Sequence, residues 1–242
     1  MAEQTHEQWL EELAADSRRK QEAFMNDIAN KLGRPRVLEK PVHPFRGAPD
    51  FWQEYEWTLE ERIERFTANF HSNGGHVSHL PTMDEAKQFI KDKAEELGAR
   101  YIIRQNQPEL AEMKLEEALP DVSLSVWNSD ENENWKARAA EADFGVVVAD
   151  YAAAYTSSIA VLSGKDKGRS VSLLPTVLIV IIPLERLKTK LGEILIPMDE
   201  AGRESLPAGV HFISGPSRSS DIENDLTIGV HGPGVVYALL VG

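Results

Sequence analysis

Apolar residues recur at helical spacing in the first part of the chain. The residues that would share one face of a helix are Trp9, Leu10, Leu13, Phe24, Ile28 and Leu32. Polar residues fill the intervening positions, and Gly33 followed by Pro35 is a helix stop signal. The sequence therefore predicts a helix, or a pair of helices, that ends near Leu32.

Residues 34–57 show little periodicity and contain four prolines. They also carry five aromatic residues: Phe45, Phe51, Trp52, Tyr55 and Trp57. This composition predicts an extended arm that packs against a surface. Two interpretations remain open, because the arm can pack on its own domain or dock on a partner protein.

Helical and strand patterns alternate from Thr58 to Val148. Thr58 with Glu61 is a capping-box pattern that predicts a helix to about His71, and Thr82 with Glu85 predicts a second helix. Further helices are predicted at 108–119 and 135–142, and strands at 76–80, 101–104, 122–127 and 144–148. Strands that alternate with helices indicate a mostly parallel sheet covered on both faces.

After Asp150 the pattern becomes mainly strand-like. Strands are predicted at 159–162, 177–182, 210–213, 226–230 and 236–241, and helices at 184–195 and briefly after Ser219. The predicted fold class is α/β: a mostly parallel sheet flanked by helices, with a β-rich C-terminal half and an N-terminal helical extension. We expect two parts, a helix and aromatic arm over 1–57 and an α/β domain over 58–242.

Charge and composition narrow the classes of partner. The formal net charge of −13 argues against nucleic acid and anionic membrane surfaces. The absence of cysteine excludes disulfides, thiolate-bound zinc and Cys-ligated iron–sulfur clusters in this chain. The apolar run 172–184 is too short to cross a bilayer, and the N-terminus lacks the features of a secretory signal, so we expect a cytoplasmic protein.

Three loops carry candidate chemistry, and the first is Ser163–Ser170. Lysines and an arginine lie there among small residues, a combination that suits a carboxylate or a phosphate. The candidate ligand-binding residues are Lys167, Gly168, Arg169 and Ser170. The alternative is a solvated hairpin turn, and the loop lacks the Walker pattern of nucleotide-binding proteins.

The second loop, Ser214–Glu223, is predicted to run from a Gly-Pro turn into a helix. A helix start offers free N–H donors, to which Ser217 and Arg218 would add. Asp221 and Glu223 form a possible carboxylate pair for acid–base chemistry. In the alternative interpretation, the serines and Asp221 only cap the helix.

The third loop, Gly229–Gly234, places His231 among glycines that clear space around its ring. An imidazole in such a pocket can transfer protons near neutral pH, although a structural, hydrogen-bonded histidine is the alternative. A histidine group at 71, 76 and 79 is not predicted to bind a metal, because positions 76 and 79 fall on opposite faces of a strand.

The three loops also carry a family resemblance. Residues 165–175, 213–223 and 229–233 resemble, in order, three characteristic segments of the lactate utilization protein C family, and residues 24–34 resemble its N-terminal part. That family carries the LUD (lactate utilization) domain. The resemblance implies a fold similar to the isomerase and CoA-transferase sheet architecture.

The resemblance also implies a function. Family members are expected to act with an iron–sulfur protein and a second partner in oxidising L-lactate to pyruvate, with no cofactor in this chain and the clusters on the partner. One segment departs from the family pattern, since Tyr155-Thr156-Ser157-Ser158 stands where an acidic residue and Thr-Gly-Thr are usual. The departure puts catalysis by this chain in doubt, while Tyr155 and Asp150 remain candidate site residues.

Together these observations predict one cleft between the three loops, holding a small carboxylate or a phosphorylated ligand. Lys167 and Arg169 would neutralise the anion, and Ser217 with the following helix start would hold it. The candidate catalytic residues are His231, Asp221 and Tyr155, and the candidate ligand-binding residues are Lys167, Gly168, Arg169, Ser170, Ser217, Arg218 and Glu223.

Two other functions remain open at this point. The first is a self-standing enzyme of the CoA-transferase or sugar-phosphate isomerase type. The second is a non-catalytic scaffold or regulatory subunit of the lactate-oxidising complex, docked through the aromatic arm Phe45–Trp57.

Overall fold

The computed structural model describes residues 6–39, 56–219 and 226–242. The chain forms two compact units, Met1–Glu54 and Tyr55–Gly242. In the first unit, helix α1 (His6–Lys31) confirms the N-terminal helix as one continuous element. Most of the predicted arm lies outside the described residues.

The described residues of the second unit form seven α-helices and twelve strands. The helices are α2 (Leu59–Ser72), α3 (Met83–Leu97), α4 (Pro108–Glu112), α5 (Leu115–Ala118), α6 (Trp135–Glu141), α7 (Arg169–Leu173) and α8 (Gly192–Ala201). The strands are β1 (His76–Leu80), β2 (Tyr101–Arg104), β3 (Ser123–Val126), β4 (Phe144–Val148), β5 (Tyr151–Ala153), β6 (Ser158–Ser163), β7 (Val177–Pro183), β8 (Leu187–Lys188), β9 (Gly209–Ile213), β10 (Arg218–Ser219), β11 (Thr227–Ile228) and β12 (Val235–Val241).

Local signals set the helix ends in the first half of this unit. The Thr58 hydroxyl accepts from the Glu61 N–H while the Glu61 carboxylate accepts from the Thr58 N–H, which completes the predicted capping box of α2. The Thr82 hydroxyl caps α3 by accepting a hydrogen bond from the Glu85 N–H. Gly98 ends this helix with a φ of 65°.

The main sheet is parallel throughout and has the order β1-β12-β7-β4-β2-β3. Its central strand β7 is buried on both faces, and alternate residues belong to different core layers. Leu178 and Val180 pack with Phe66 and Phe70 of α2, whereas Ile179 packs with the layer under α3. The predicted mostly parallel α/β sheet flanked by helices is confirmed.

A smaller sheet, β8-β5-β6-β9, contributes buried residues to the α2 side of the core. Strand β5 follows β4 in the chain and pairs antiparallel with β6, which pairs antiparallel with β9. A two-stranded ribbon joins β10 and β11. The C-terminal half is therefore divided, because β7 and β12 enter the main sheet while the other strands form separate sheets.

Two predicted helices are wrong in extent. The predicted helix 184–195 is instead a 3₁₀ turn at Leu184–Arg186, strand β8, and α8. Leu184 and Leu187 are both buried at helical spacing, but Leu187 pairs with β5, which removes it from any helix. The predicted helix 108–119 divides into α4 and α5 at Lys114, where φ is 50°.

Between Ser217 and Val230 one prediction is corrected and another stays a prediction. Arg218 and Ser219 form strand β10, and the helix predicted after Ser219 falls on residues 220–225, which lie outside the described residues. The predicted strand 226–230 shortens to β11, because only Thr227 and Ile228 find a partner strand.

One close approach joins a helix to the main sheet. A Cβ atom at Gly145 of β4 would lie 2.1 Å from the Val171 carbonyl oxygen of α7 and 3.0 Å from the Pro175 ring. Only a residue without a side chain lets the α7 backbone lie directly on β4.

Candidate functional site

A cavity of the α/β unit lies where parallel strands of the main sheet end. Strands β2 and β4 terminate at Arg104 and Val148, and the following segments face a cavity of about 530 Å³. Its lining residues are mostly polar or charged: Asn106, Gln107, Pro108, Glu109, Asp150, Tyr151, Leu162, Asp166, Lys167 and Arg186. The carboxyl edge of a parallel sheet is the usual position of a ligand.

Two buried amide side chains fix the ends of these strands. The Gln107 amide donates to the Val148 carbonyl at 3.1 Å and accepts from the Val148 N–H at 2.9 Å. Gln105 donates to the Gly168 carbonyl at 3.4 Å, and its own carbonyl oxygen is buried without a partner among the described residues. These contacts make the floor beside the cavity rigid and polar.

Lys167 is held in the cavity by Asp150. Its ammonium nitrogen lies 2.5 Å from Asp150 Oδ1, and Asp150 Oδ2 accepts from the Leu162 N–H at 2.8 Å. The loop before Lys167 is fixed as well, because the Asn106 N–H donates to the Asp166 carbonyl at 2.9 Å. The side chain of Lys167 therefore points into a preformed site rather than into bulk water.

Arg186 is the second cation of the cavity. Its guanidinium donates to the Ala149 carbonyl at 2.8 Å and to the Glu109 carboxylate at 2.7 Å. Burial opposes ionisation of Glu109, but hydrogen bonds from its own backbone N–H and from Arg186, with the charges of Arg186 and Lys167, outweigh it and lower its pKa. Glu109 is thus coupled electrostatically to both cations.

The other two predicted loops meet at the opposite edge of the sheet. The Ser217 N–H donates to the Pro233 carbonyl at 2.9 Å, and the His231 N–H donates to the Ser217 hydroxyl at 3.3 Å. The Gly234 N–H donates to the carbonyl of Thr176, which precedes β7. This cluster therefore lies at the amino edge of the main sheet.

The turn after α2 joins the same cluster. The Arg218 guanidinium donates to the Asn73 carbonyl, and the Asn73 amide donates to the Ser157 hydroxyl at 3.2 Å. Ser158 and Ser214 share a hydroxyl hydrogen bond of 2.9 Å. Ser157 has a φ of 46°, a conformation that favours glycine.

Tyr155 lies in this hairpin and is 43% exposed. Its carbonyl accepts from the Asn69 amide at 3.1 Å, and its ring lies 6.0 Å from that of Trp57. Asp150 is at the other end of β5, where it binds Lys167. Tyr155 and Asp150 therefore lie beyond opposite ends of β5.

The three predicted loops do not form one cleft. The loop with Lys167 is at the carboxyl edge, and Ser217, Arg218 and His231 are at the amino edge. The five residues of β4 alone separate the two edges by roughly 16 Å. Sequence order could not show this, because β6 and β9 run in opposite directions and carry their loops to opposite ends.

The remaining predicted residues have separate positions. Gly168 is buried against the Trp127 indole, Arg169 is exposed at the start of α7, and Ser170 follows it. Asp221 and Glu223 lie outside the described residues. The roles assigned to all of these residues stay predictions.

Sequence reasoning missed the polar residues that follow β2. Gln105, Asn106 and Gln107 stand directly after a correctly predicted strand, so their position alone was a signal for the carboxyl edge. Arg186 had no such signal, because the pattern placed it inside a helix.

His211 of β9 was also missed. Its Nδ1 is buried without a partner among the described residues, and its Nε2 lies 3.5 Å from the Ser163 hydroxyl. Burial, and secondly the charge of Arg169, lower the pKa of His211 below its usual value of 6.5. The neutral imidazole is therefore the form that fits the fold.

This pKa shift makes stability depend on pH. Below about pH 6.5 the unfolded chain protonates His211 before the folded chain does, so the free energy of unfolding should fall as pH decreases, by less than about 1.4 kcal/mol per pH unit. Urea unfolding at several pH values between 7.5 and 5 should show that the free energy of unfolding falls less steeply for His211→Gln than for the parent chain. Equal pH slopes would contradict the assignment.

The histidines at 71, 76 and 79 are engaged separately. His71 accepts from the Val77 N–H at 3.1 Å, His76 stacks on Tyr237, and His79 bonds the Gly242 carbonyl oxygen. Across residues 6–39, 56–219 and 226–242, no group of three histidine or carboxylate side chains is placed to hold a metal ion. In the same ranges, none of the helices has the length and apolarity needed to span a bilayer.

Comparison with known proteins gives a consistent result. The model of the LUD domain family matches residues 63–241. Lactate utilization protein C of Halalkalibacterium halodurans is 35% identical over 217 residues, which cover 88% of this chain and 94% of that protein. Lactate utilization protein C of Shouchella clausii is 31% identical, with 88% and 93% covered.

A solved structure shares the fold. The crystal structure of a DUF162 family protein from Deinococcus radiodurans superimposes with a TM-score of 0.54 at 21% identity. The match covers 77% of this chain and 99% of that one. At this identity the similarity concerns the architecture of the chain.

Proposed function

The chain belongs to the LUD domain family, and on that premise we propose that it is a component of an L-lactate utilization system that oxidises L-lactate to pyruvate. The observation that carries this proposal is the nearly full-length similarity to proteins named lactate utilization protein C. Its partners in the proposal are an iron–sulfur protein and a second subunit.

The redox groups are assigned to the partner. Oxidation of L-lactate releases electrons, and this chain contains no cysteine to ligate an iron–sulfur cluster. In the proposed division of labour, this chain binds a small ligand and presents it, while the partner accepts the electrons.

The ligand site in this proposal is the cavity at the carboxyl edge. Lys167 and Arg186 supply two cationic groups to one cavity, which suits a carboxylate or a phosphorylated ligand. Each cation is already paired, with Asp150 and Glu109 respectively. An incoming anion therefore shares preoriented donors, so binding requires little rearrangement of either side chain.

The amino-edge cluster supports the scaffold function as a second candidate. Tyr155 occupies the position that is acidic in the family pattern, and its ring lies 6.0 Å from that of Trp57. A carboxylate nucleophile of the CoA-transferase type has no counterpart at this position. The same observation disfavours the self-standing transferase.

Gentle purification of the tagged chain from its own cells tests the proposal. We expect the eluate to contain iron, further protein chains and L-lactate-dependent dye reduction, since clusters and electron transfer reside on the partner. The matched sample is the tagged chain produced alone in a heterologous host, which should be free of iron and inactive. A single, iron-free, inactive chain from the native cells would contradict the complex.

The scaffold candidate predicts a different outcome in the same experiment. If the chain only docks, the assembly should keep its L-lactate-dependent activity when the cavity cations are replaced. If the chain is a self-standing enzyme, the chain produced alone should turn over CoA esters or sugar phosphates.

A further inference from the structure

The loop that carries Lys167, residues 164–168, is held through its main chain. Four consecutive carbonyl groups of this loop, those of residues 165–168, each accept a hydrogen bond. The donors, in the order of the acceptors, are the Trp127 indole N–H, the Asn106 N–H, the Gly164 N–H and the Gln105 amide. Because its carbonyls are all engaged, the loop has few alternative backbone conformations, and the Lys167 side chain projects from a fixed base.

Trp127 contacts this loop on both sides of Lys167. Its indole nitrogen lies 3.1 Å from the Lys165 carbonyl oxygen. Its ring also lies against Gly168, where a Cβ atom would be 2.0 Å from Trp127 Cε2. One side chain therefore fixes the second residue before Lys167 and the residue directly after it, so a displacement of the ring would move the loop at both points.

Trp127 is itself held in place by the main sheet. Its backbone N–H donates to the Arg104 carbonyl at 2.9 Å, directly after the paired strands β2 and β3 end. Its ring packs against the α2 side of the core. The described residues that line the carboxyl-edge cavity include Lys167 but not Trp127. Any effect of Trp127 on a ligand in this cavity therefore passes through the loop.

We propose that Trp127 is a positioning residue that holds the Lys167 ammonium in the cavity at the carboxyl edge. The functional part of this inference rests on the proposed function, in which Lys167 binds the anionic ligand. Lysine has a long, flexible side chain, and a fixed backbone removes many of the conformations that place the ammonium in bulk water. The ion pair with Asp150 then orients the ammonium before a ligand arrives.

The acetylation rate of Lys167 in the isolated chain tests this positioning. Acetic anhydride reacts with the neutral amine, so an ammonium held against Asp150 reacts slowly, and peptide mass spectrometry measures each lysine separately. Trp127→Phe removes the indole N–H. It should raise the rate at Lys167, relative to the exposed Lys114, by about twofold to tenfold, as the loss of one neutral hydrogen bond implies.

Trp135→Phe is the matched control. The ring centroids of Trp135 and Trp127 are 6.1 Å apart, and both rings pack on the same part of the core. The Trp135 indole N–H, however, donates to the Asp130 carbonyl, which is outside the loop. The Lys167 rate should therefore stay at the parent value in this variant. An equal rise in both variants would mean a general loosening of this part of the fold and would overturn the proposal.

Two glycine variants perturb the same contact from the side of the loop. Gly168 has a φ of −67°, which alanine can adopt, but the Cβ of Gly168→Ala would collide with the Trp127 ring. The loop should move away from the ring, and the Lys167 rate should rise. Gly164→Ala is the control, since a Cβ there meets none of the described atoms within 4 Å. A parent-like Lys167 rate in both Trp127→Phe and Gly168→Ala would refute the positioning role.

Kinetics of the assembled system separate this inference from the proposed function. If Lys167 binds the ligand, Trp127→Phe should raise the KM for L-lactate by about twofold to tenfold and leave kcat nearly unchanged, because the weakened contact is made in the ground state and the transition state alike. A parent-like KM together with faster Lys167 acetylation would uphold the positioning role and contradict the ligand site of the proposed function.

Discussion

Lys167→Gln is expected to lower the L-lactate-dependent activity of the purified assembly by about tenfold to a hundredfold, because a charge-assisted hydrogen bond to the ligand contributes about 1.5–3 kcal/mol. Lys167 points into the cavity from a loop that Asp166 and Asn106 fix in place. Lys165→Gln is the matched control, since Lys165 is exposed two residues earlier and does not line the cavity.

A second variant separates binding from stability. Removing Lys167 alone leaves the Asp150 carboxylate without its cation, whereas Asp150→Asn with Lys167→Gln removes both charges. The double variant should recover the stability that Lys167→Gln loses, as measured by urea unfolding, but not its activity. Recovery of both stability and activity would mean that Lys167 supports activity only by stabilising the fold.

The position of the ligand is decided by comparing the two edges of the sheet. His231→Ala, at the amino edge, is expected to leave activity nearly unchanged if the ligand binds beside Lys167. Full activity of Lys167→Gln together with a large loss for His231→Ala would place the ligand at the amino edge instead.

Gly145→Ala is expected to destabilise the α/β unit by about 1–3 kcal/mol or more. The added Cβ would meet the Val171 carbonyl oxygen at 2.1 Å, and a backbone atom cannot rotate away as a side chain can. The helix α7 must therefore move off β4, which opens the packing of both core elements.

Urea unfolding measures this effect. Gly192→Ala is the matched control, because a Cβ at Gly192 meets no atom within 4 Å and the residue begins α8. The control should stay within about 0.5 kcal/mol of the parent chain. If Gly145→Ala unfolded at the same urea concentration as the control, the close contact between α7 and β4 would be refuted.

The sequence alone predicted the elements whose signals are local. The capping residues Thr58 and Thr82 and the strand 144–148 correspond closely to observed boundaries. Caps, glycine turns and buried strands depend on a few neighbouring residues, so they can be recognised without the fold. The α/β class followed from their alternation, and the family from three short segments.

Elements that depend on distant partners could not be predicted. Leu184 and Leu187 have helical spacing, yet Leu187 pairs with β5 about 35 residues earlier in the chain. The strands β7 and β12 read as part of a β-rich half, although they pair with each other and with β4 and β1.

The candidate site shows the same division. Sequence identified Lys167 and its loop as anion-binding candidates, and this stays a prediction, but it also grouped that loop with Ser217 and His231. The direction of β6 and β9 decides which loop reaches which edge of the parallel sheet, and strand direction is set by long-range pairing. The sequence thus determined which residue types were available for chemistry. Only the tertiary structure determined that Arg186, Glu109 and Asp150 surround Lys167 while His231 lies at the other edge.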